Sequence, residues 1–211
     1  MTEPPTDCAR CPRLAEFRRV NREAKPDWHN APVSAFGGCD AALLIVGLAP
    51  GVSGANRTGR PFTGDFAGDL LYRILAAHGF TRGQYDRSAD DGLTLARCRI
   101  TNAVRCVPPQ NRPTATEINT CRSFLRYEIE SLPNLRVILA LGTIAHRSVV
   151  TALDARQAVY PFAHGALHSP PGGFTLADSY HCSRYNTNTG RITVEMFDAV
   201  VARVRELIDG D

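Results

Sequence analysis

Two stretches of the chain run apolar without a break and stop on glycine: AALLIVG at 41–47 and VILALG at 137–142. Runs of this length bounded by glycine fit a parallel strand covered on both faces, whereas a strand with one wet face alternates. Elsewhere the apolar positions change period. In FAGDLLYRILAAHG, Leu70, Leu71, Ile74 and Leu75 recur at helical spacing, and Gly79 supplies a stop. TATEINTCRSFLRYEIESL opens on a Thr-x-x-Glu signature and carries Ile118, Phe124, Leu125 and Ile129, which predicts a second helix. CRITNAV and FTLADSYH predict further strands, TIAHRSVVTAL a helix, HGALHSPPGG a loop and TVEMFDAVVARVRELI a closing amphipathic helix. Strand and helix alternate throughout. The expected fold class is therefore α/β, a three-layer α/β/α arrangement around a central, mostly parallel sheet. Ligands of such sheets sit at the carboxyl ends of the strands. GLAPGVSGANRTGRPFTGD (47–65), TNAVRC (101–106) and HCSRYNTNTG (181–190) each follow a predicted strand, so three sequence-distant loops are expected to meet at one edge.

Composition narrows this picture. A chain of 211 residues with 44% hydrophobic content can bury a core as one domain, 1–211, and nothing in its middle reads as a linker. No window approaches the roughly 18 uninterrupted apolar residues of a membrane span, and MTEPPTDCARCPRL lacks the apolar centre of a signal peptide. The expectation is a cytoplasmic protein without a membrane partner, its first seven residues loose. The formal charge of +3 does not by itself announce nucleic acid.

Seven cysteines in a cytosolic chain point to metal or redox chemistry before disulfides. Cys8 and Cys11 form C-x2-C; Cys106 and Cys121 enclose VPPQNRPTATEINT. Four thiolates suit zinc or a [4Fe–4S] cluster, and the spacing leaves both open beside four small core residues. Cys98, inside a predicted strand, reads as a small buried hydrophobe. The glycine-rich loop, with five glycines in 47–65, contains neither a Gly-Lys-Ser/Thr phosphate loop nor G-x-G-x-x-G. Its small residues let backbone N–H groups approach a phosphate, or serve a turn that needs positive φ. Asp65, at its end, is either a reacting carboxylate or an N-cap for the helix that follows, and the two roles are compatible. Asp69, a turn later, is expected at the surface. His164 and His168 in HGALH stand four apart, but Gly165 and the prolines beyond disfavour a helix, so structural hydrogen bonding or DNA contact is expected there.

Taken in order, GLAPGVSGANRTGRPFTGD, ITNAVRCVPPQNRPT, ILALG, FAHGALH and HCSRYNTNTGRIT cover nearly the whole chain, and together they resemble the family 5 uracil-DNA glycosylases, in the iron–sulfur branch of the uracil-DNA glycosylase superfamily. Leu48 follows the first glycine where the related family 4 enzymes carry glutamate. One departure stands out: the family's second motif begins His-Pro-Ser, and this chain has His181-Cys182-Ser183. Proline would stiffen that loop and remove a backbone donor.

The resemblance implies a monofunctional DNA glycosylase that flips out and excises uracil, and deaminated bases such as hypoxanthine and xanthine, leaving an abasic site for base excision repair. It implies a structural [4Fe–4S] cluster on Cys8, Cys11, Cys106 and Cys121. Within that reading, Asp65 and His181 are catalytic, Asn102, Phe62, Ala49 and Gly51 hold the base, and Ser53, Arg57, Ser183, Arg184, Tyr185 and Asn186 meet the DNA. Asn102 matches O4 and N3–H of uracil, whose polarities cytosine reverses; His181 donates to O2 of the departing base, and Asp65 attends the sugar and the water. The partner is DNA containing uracil or other deaminated bases, bound by a monomer at the nucleoid. The alternative is a non-enzymatic iron–sulfur protein that binds nucleic acid through a degenerate glycosylase site.

Overall fold

Consecutive apolar residues point alternately to the two sides of a sheet, and in the computed structural model, which describes residues 3–210, both sides of the central sheet are covered. In chain order the elements are α1 (Pro12–Ala24), β1 (Leu43–Gly47), α2 (Ala55–Thr58), α3 (Phe66–Ala77), β2 (Thr81–Arg82), β3 (Thr94–Leu95), β4 (Cys98–Asn102), α4 (Ala115–Glu130), β5 (Val137–Leu141), α5 (Thr143–Ala152), β6 (Leu167–His168), β7 (Thr175–Ser179), α6 (Arg184–Asn188) and α7 (Val194–Asp209). The sheet has the order β4-β1-β5-β7-β6, parallel throughout except for β6, which runs antiparallel at the edge beside β7. The strands β2 and β3 form a separate antiparallel hairpin.

Leu43 and Ile45 of β1 with Leu139 of β5 pack against Leu71 and Leu75 of α3 and Phe197, Val201 and Val204 of α7. Leu44 and Val46, with Ile138 and Ala140, face the other way onto Leu125 and Ile129 of α4 and Val149 and Val150 of α5. Burying each such side chain contributes roughly 1.5–3 kcal/mol, so β1 and β5 hold both layers to the sheet. Caps fix where the helices begin. Thr114 and Glu117 form a reciprocal capping box on α4, Thr193 caps α7, and Asp65 caps α3. Cys98 opens β4 fully inside the core, where burial pushes its thiol pKa up.

Several local expectations are corrected. The N-terminal segment is held rather than loose from Glu3 onward: the Glu3 carboxylate lies 3.1 Å from Arg105 and accepts from Ala35 N at 3.0 Å, while positions 1–2 fall outside the described residues. The helix α1 follows directly, starting at a proline suited to a first helical turn. HGALHSPPGG contributes β6 rather than loop alone, FTLADSYH leaves the sheet after Ser179, and the polar segment behind it coils into α6. Among the described residues no helix is long and apolar enough to cross a membrane.

Candidate active site

Because β1, β4, β5 and β7 are parallel, Gly47, Asn102, Leu141 and Ser179 end at the same edge, with Gly47 paired to Asn102 and Leu141 to Ser179. The loops that leave β1, β4 and β7 enclose one cleft of about 710 Å³. Asp65, His181, Asn102, Phe62, Ala49, Gly51, Ser53, Ser183 and Arg184 all line it, as does Leu48.

Asp65 has its two oxygens in different employment. Oδ1 accepts from Gly68 N at 3.1 Å and caps α3. Oδ2 lies against the turn of the glycine-rich loop, where a Cβ on Gly54 would stand 2.3 Å from it and one on Gly51 3.2 Å. The loop's glycines thus make room for a carboxylate. The expected N-cap is present and leaves one oxygen on the cleft side. Asp69 is turned away and pairs with Arg87.

The base-holding candidates meet over Gly47. A Cβ there would stand 2.4 Å from Asn102 Oδ1 and 2.6 Å from Phe62 Cζ, so only glycine lets the amide and the ring close over the end of β1. Asn102 is 3% exposed, and its side-chain amide makes no hydrogen bond among the described residues. A buried amide without a protein partner calls for one from elsewhere. Phe62 stacks on His181 with ring centroids 5.8 Å apart and planes inclined at 28°. The His181 ring nitrogens likewise have no hydrogen-bond partner among the described residues. Burial draws its imidazole pKa below the ordinary value while the Asp65 charge pulls the other way, so the ring is neutral near pH 7 and keeps one N–H to give.

The rim is more mixed. Tyr185, 75% exposed, projects from α6, whose first turn Ser183 caps. The Arg184 guanidinium lies 5.5 Å from the centre of the Phe66 ring. The amide of Asn186 turns inward and donates to His181 O at 2.9 Å, bracing the loop instead of reaching outward. Arg57 stands outside the cleft, donating from Nε to Ser53 O at 2.8 Å. Cys182, in the family's proline position, is fully buried; its thiol, pushed up to about 12 by burial, lies 3.5 Å from Ala67 O. Asn111, which the sequence reading missed, also lines the cleft, next to Gln110 in a turn where both residues have φ of 56°. Two consecutive left-handed residues that are not glycine, between prolines and after a strand end, are the signal that marks such a turn.

Behind the cleft, Cys8, Cys11, Cys106 and Cys121 line one small cavity between the start of α1, the end of the β4 loop and α4. Burial raises the pKa of Cys11, Cys106 and Cys121, the last to about 12, and their neighbouring thiols push the same way. Opposing this, Arg18 donates from Nη1 to Cys106 Sγ at 3.0 Å and Arg105 N donates to Cys121 Sγ at 3.4 Å. Four sulfurs gathered together, two of them buried and two half-buried, with N–H groups aimed at Cys106 and Cys121, fit a site built for a cationic centre, which the mutual repulsion of thiolates requires. Cys39, Cys98 and Cys182 lie elsewhere.

His168 belongs to a hydrogen-bonded group rather than to the cleft. Its Nε2 lies 3.1 Å from Asp178 Oδ2, His146 Nδ1 lies 2.7 Å from Asp178 Oδ1, and His146 Nε2 donates to Tyr160 O at 2.8 Å. His164 accepts from Tyr180 N at 3.2 Å and stacks on the Tyr180 ring.

Comparison with known proteins gives a consistent result. Residues 35–205 match the family described as the uracil DNA glycosylase superfamily. The chain is 43% identical over 208 residues to the type-5 uracil-DNA glycosylase of Thermus thermophilus, covering 96% of this chain and 94% of that protein. It is 42% identical to the type-5 uracil-DNA glycosylase of Pyrobaculum aerophilum, over 93% of this chain and 87% of the relative. Similarity to the type-4 uracil-DNA glycosylase of the same organism is lower, 34% over 71% of this chain and 63% of the relative.

Proposed function

The chain belongs to the uracil-DNA glycosylase superfamily, on its type-5 side, and from that premise we propose that it hydrolyses the N-glycosidic bond of uracil in DNA, and of hypoxanthine and xanthine, leaving an abasic site. The observation that carries this reading is the pair of polar groups without a hydrogen-bond partner among the described residues, the Asn102 amide and the His181 ring, in one cleft with the second oxygen of Asp65. A nucleotide must leave the stack to enter such a cleft, at a cost of a few kcal/mol that is least for a damaged or mispaired base. Tyr185 and Arg184 fill the vacated space, and Ser53 and Ser183 meet the flanking phosphates. Arg57 acts at the approach to the glycine-rich loop, with Ala49 and Gly51 offering backbone against the base.

In the cleft, Phe62 stacks on the extruded base, an interaction of roughly 1–3 kcal/mol that ignores base identity. Asn102 supplies the identity by donating to O4 and accepting from N3–H. As the bond to the sugar breaks, charge gathers on the base; a neutral His181 N–H at O2 stabilises it by the logic of an oxyanion hole. Asp65 Oδ2 faces the cationic sugar and orients the water. Leu48, apolar at the family 4 glutamate position, leaves this work to Asp65, and a site that relies on leaving-group stabilisation accepts more than one deaminated base.

Cys8, Cys11, Cys106 and Cys121 would hold the [4Fe–4S] cluster. Thiolate bonds to it would tie Cys8 and Cys11, ahead of α1, to the β4 loop and α4, a structural role without redox turnover. One flipped nucleotide fills one cleft, so a monomer with 1–211 as a single catalytic domain suffices.

The test is incubation of the purified protein with oligonucleotides carrying uracil, hypoxanthine or xanthine in matched contexts, followed by hot alkali. Strand scission at the modified base is expected; an intact uracil strand at excess enzyme would leave a non-enzymatic DNA-binding protein.

A further inference from the structure

The ring that faces the base is carried on a backbone that bulky residues avoid. Phe62 has φ of 52°, the left-handed region, and its carbonyl is pressed so closely on α3 that a Cβ on Gly68 would stand 1.8 Å from Phe62 O. Such a conformation persists only where the surroundings over-determine it. Here every flanking residue is fixed by a side chain outside the cleft. Tyr72 donates to Pro61 O at 2.7 Å, and the Tyr85 hydroxyl accepts from Gly64 N at 3.1 Å and lies 3.4 Å from Phe62 O. Arg60 donates through both terminal nitrogens to Asp91 at 2.7 Å each and from Nε to Thr63 Oγ1 at 2.8 Å. Its guanidinium is enclosed by the rings of Phe36, Tyr72 and Tyr85 at 5.0–5.8 Å.

Tyr85 and Asp91 both come from the segment that joins β2 to β3, which contributes no residue to the cleft. Asp91 is itself fixed by backbone donors, Asp86 N at 2.9 Å and Leu93 N at 3.0 Å. We propose that Tyr85 and Asp91 are positioning residues: the β2–β3 segment holds Phe62 in its left-handed conformation over Gly47 and thereby sets how well the everted base is captured. The inference rests on the glycosylase reading and on Phe62 as the surface that receives the base. Charge and hydrogen bonding act here through the turn at 60–64, since neither residue reaches the cleft.

A double-mutant cycle tests it. Tyr85→Phe removes one hydroxyl and keeps the ring stacked on Tyr72 at 4.6 Å; Asp91→Asn is the second variant, should the first fold poorly. Single-turnover excision of uracil is measured for each, for Phe62→Ala and for the pairs, with thermal midpoints alongside. Tyr85→Phe is expected to slow excision by about tenfold, below the roughly hundredfold that a full 1 Å misplacement can cost. In the Phe62→Ala background the same change is expected to cost nothing further. Equal losses in both backgrounds, or no loss in either, would overturn the proposal. A Phe62→Ala variant that excises uracil at the parental rate overturns Phe62 as the receiving surface and the positioning role with it, while the glycosylase reading fails only if the parent protein leaves uracil strands intact; a slow Phe62→Ala with additive Tyr85→Phe fails the positioning role alone.

Discussion

The proposed mechanism gives Asp65 two duties that one substitution can separate. Its Oδ1 caps α3 through Gly68 N, and its Oδ2 faces the cleft. Asparagine caps a helix about as well as aspartate, so Asp65→Asn keeps the cap and removes the charge, whereas Asp65→Ala removes both at a stability cost of about 1 kcal/mol. In a chain of this size that cost lowers the thermal midpoint by roughly 2–4 °C. Removing one preorganised electrostatic group from an active site costs about 10²–10³ in rate, some 2.7–4 kcal/mol of barrier. The expected pattern is a near-parental melting curve with a rate down about two to three decades for Asp65→Asn, and the same rate loss with a lower midpoint for Asp65→Ala. The assay is single-turnover cleavage of an end-labelled uracil oligonucleotide, developed with alkali, beside thermal unfolding and a gel-shift measurement. Binding should survive, because the lost charge is of the same sign as the phosphates. An Asp65→Asn protein that cleaves at the parental rate would show that the carboxylate is a helix cap and nothing more.

Three further outcomes are expected. Gly47→Ala forces a Cβ to 2.4 Å from Asn102 Oδ1, so excision should fall by orders of magnitude while circular dichroism still reports the α/β fold. Burial lowers the His181 and His164 pKa values below 6.5, so unfolding takes up protons: their share of stability is intact above about pH 6.5 and drains as pH falls below it, and His181→Gln should flatten the unfolding free energy against pH over that acid range. Cys121→Ser removes a buried sulfur beside Arg105 N, and the purified protein should contain less iron and acid-labile sulfide and lose the broad visible absorbance that zinc does not give.

The strands β1 and β5 were legible because both their faces are covered, which leaves an unbroken apolar run; α3, α4 and α7 were legible because caps and period agree. The helix α1 was not. Its buried side chains are Leu14 and Arg18, and an arginine whose partners are a cysteine sulfur and the Cys8 carbonyl gives no apolar period to read. The strands β2, β3 and β6, two residues each, are made by their partners rather than by local preference, and α6 is too polar to reveal a face. At the cleft, Asn102 ends β4 and His181 follows closely on β7, a place that topology marks in advance, whereas Asp65 was marked by its place at the end of the glycine-rich loop and before α3. Asn111 was hidden because the cysteines on either side already accounted for its loop. The left-handed turn at Phe62 and its braces 23 and 29 residues further on depend on tertiary contacts alone, as Tyr85 and Asp91 show.

The pairing of Gly47 with Asn102 on one rung of the β1–β4 ladder makes chain length an address. Deleting a single residue from β4 would rotate everything beyond the deletion by half a pleat, sending the amide to the opposite face of the sheet and an aliphatic side chain toward the cleft. Loops around this rim can grow or shrink, but the count of residues between Cys98 and Asn102 is not free to drift.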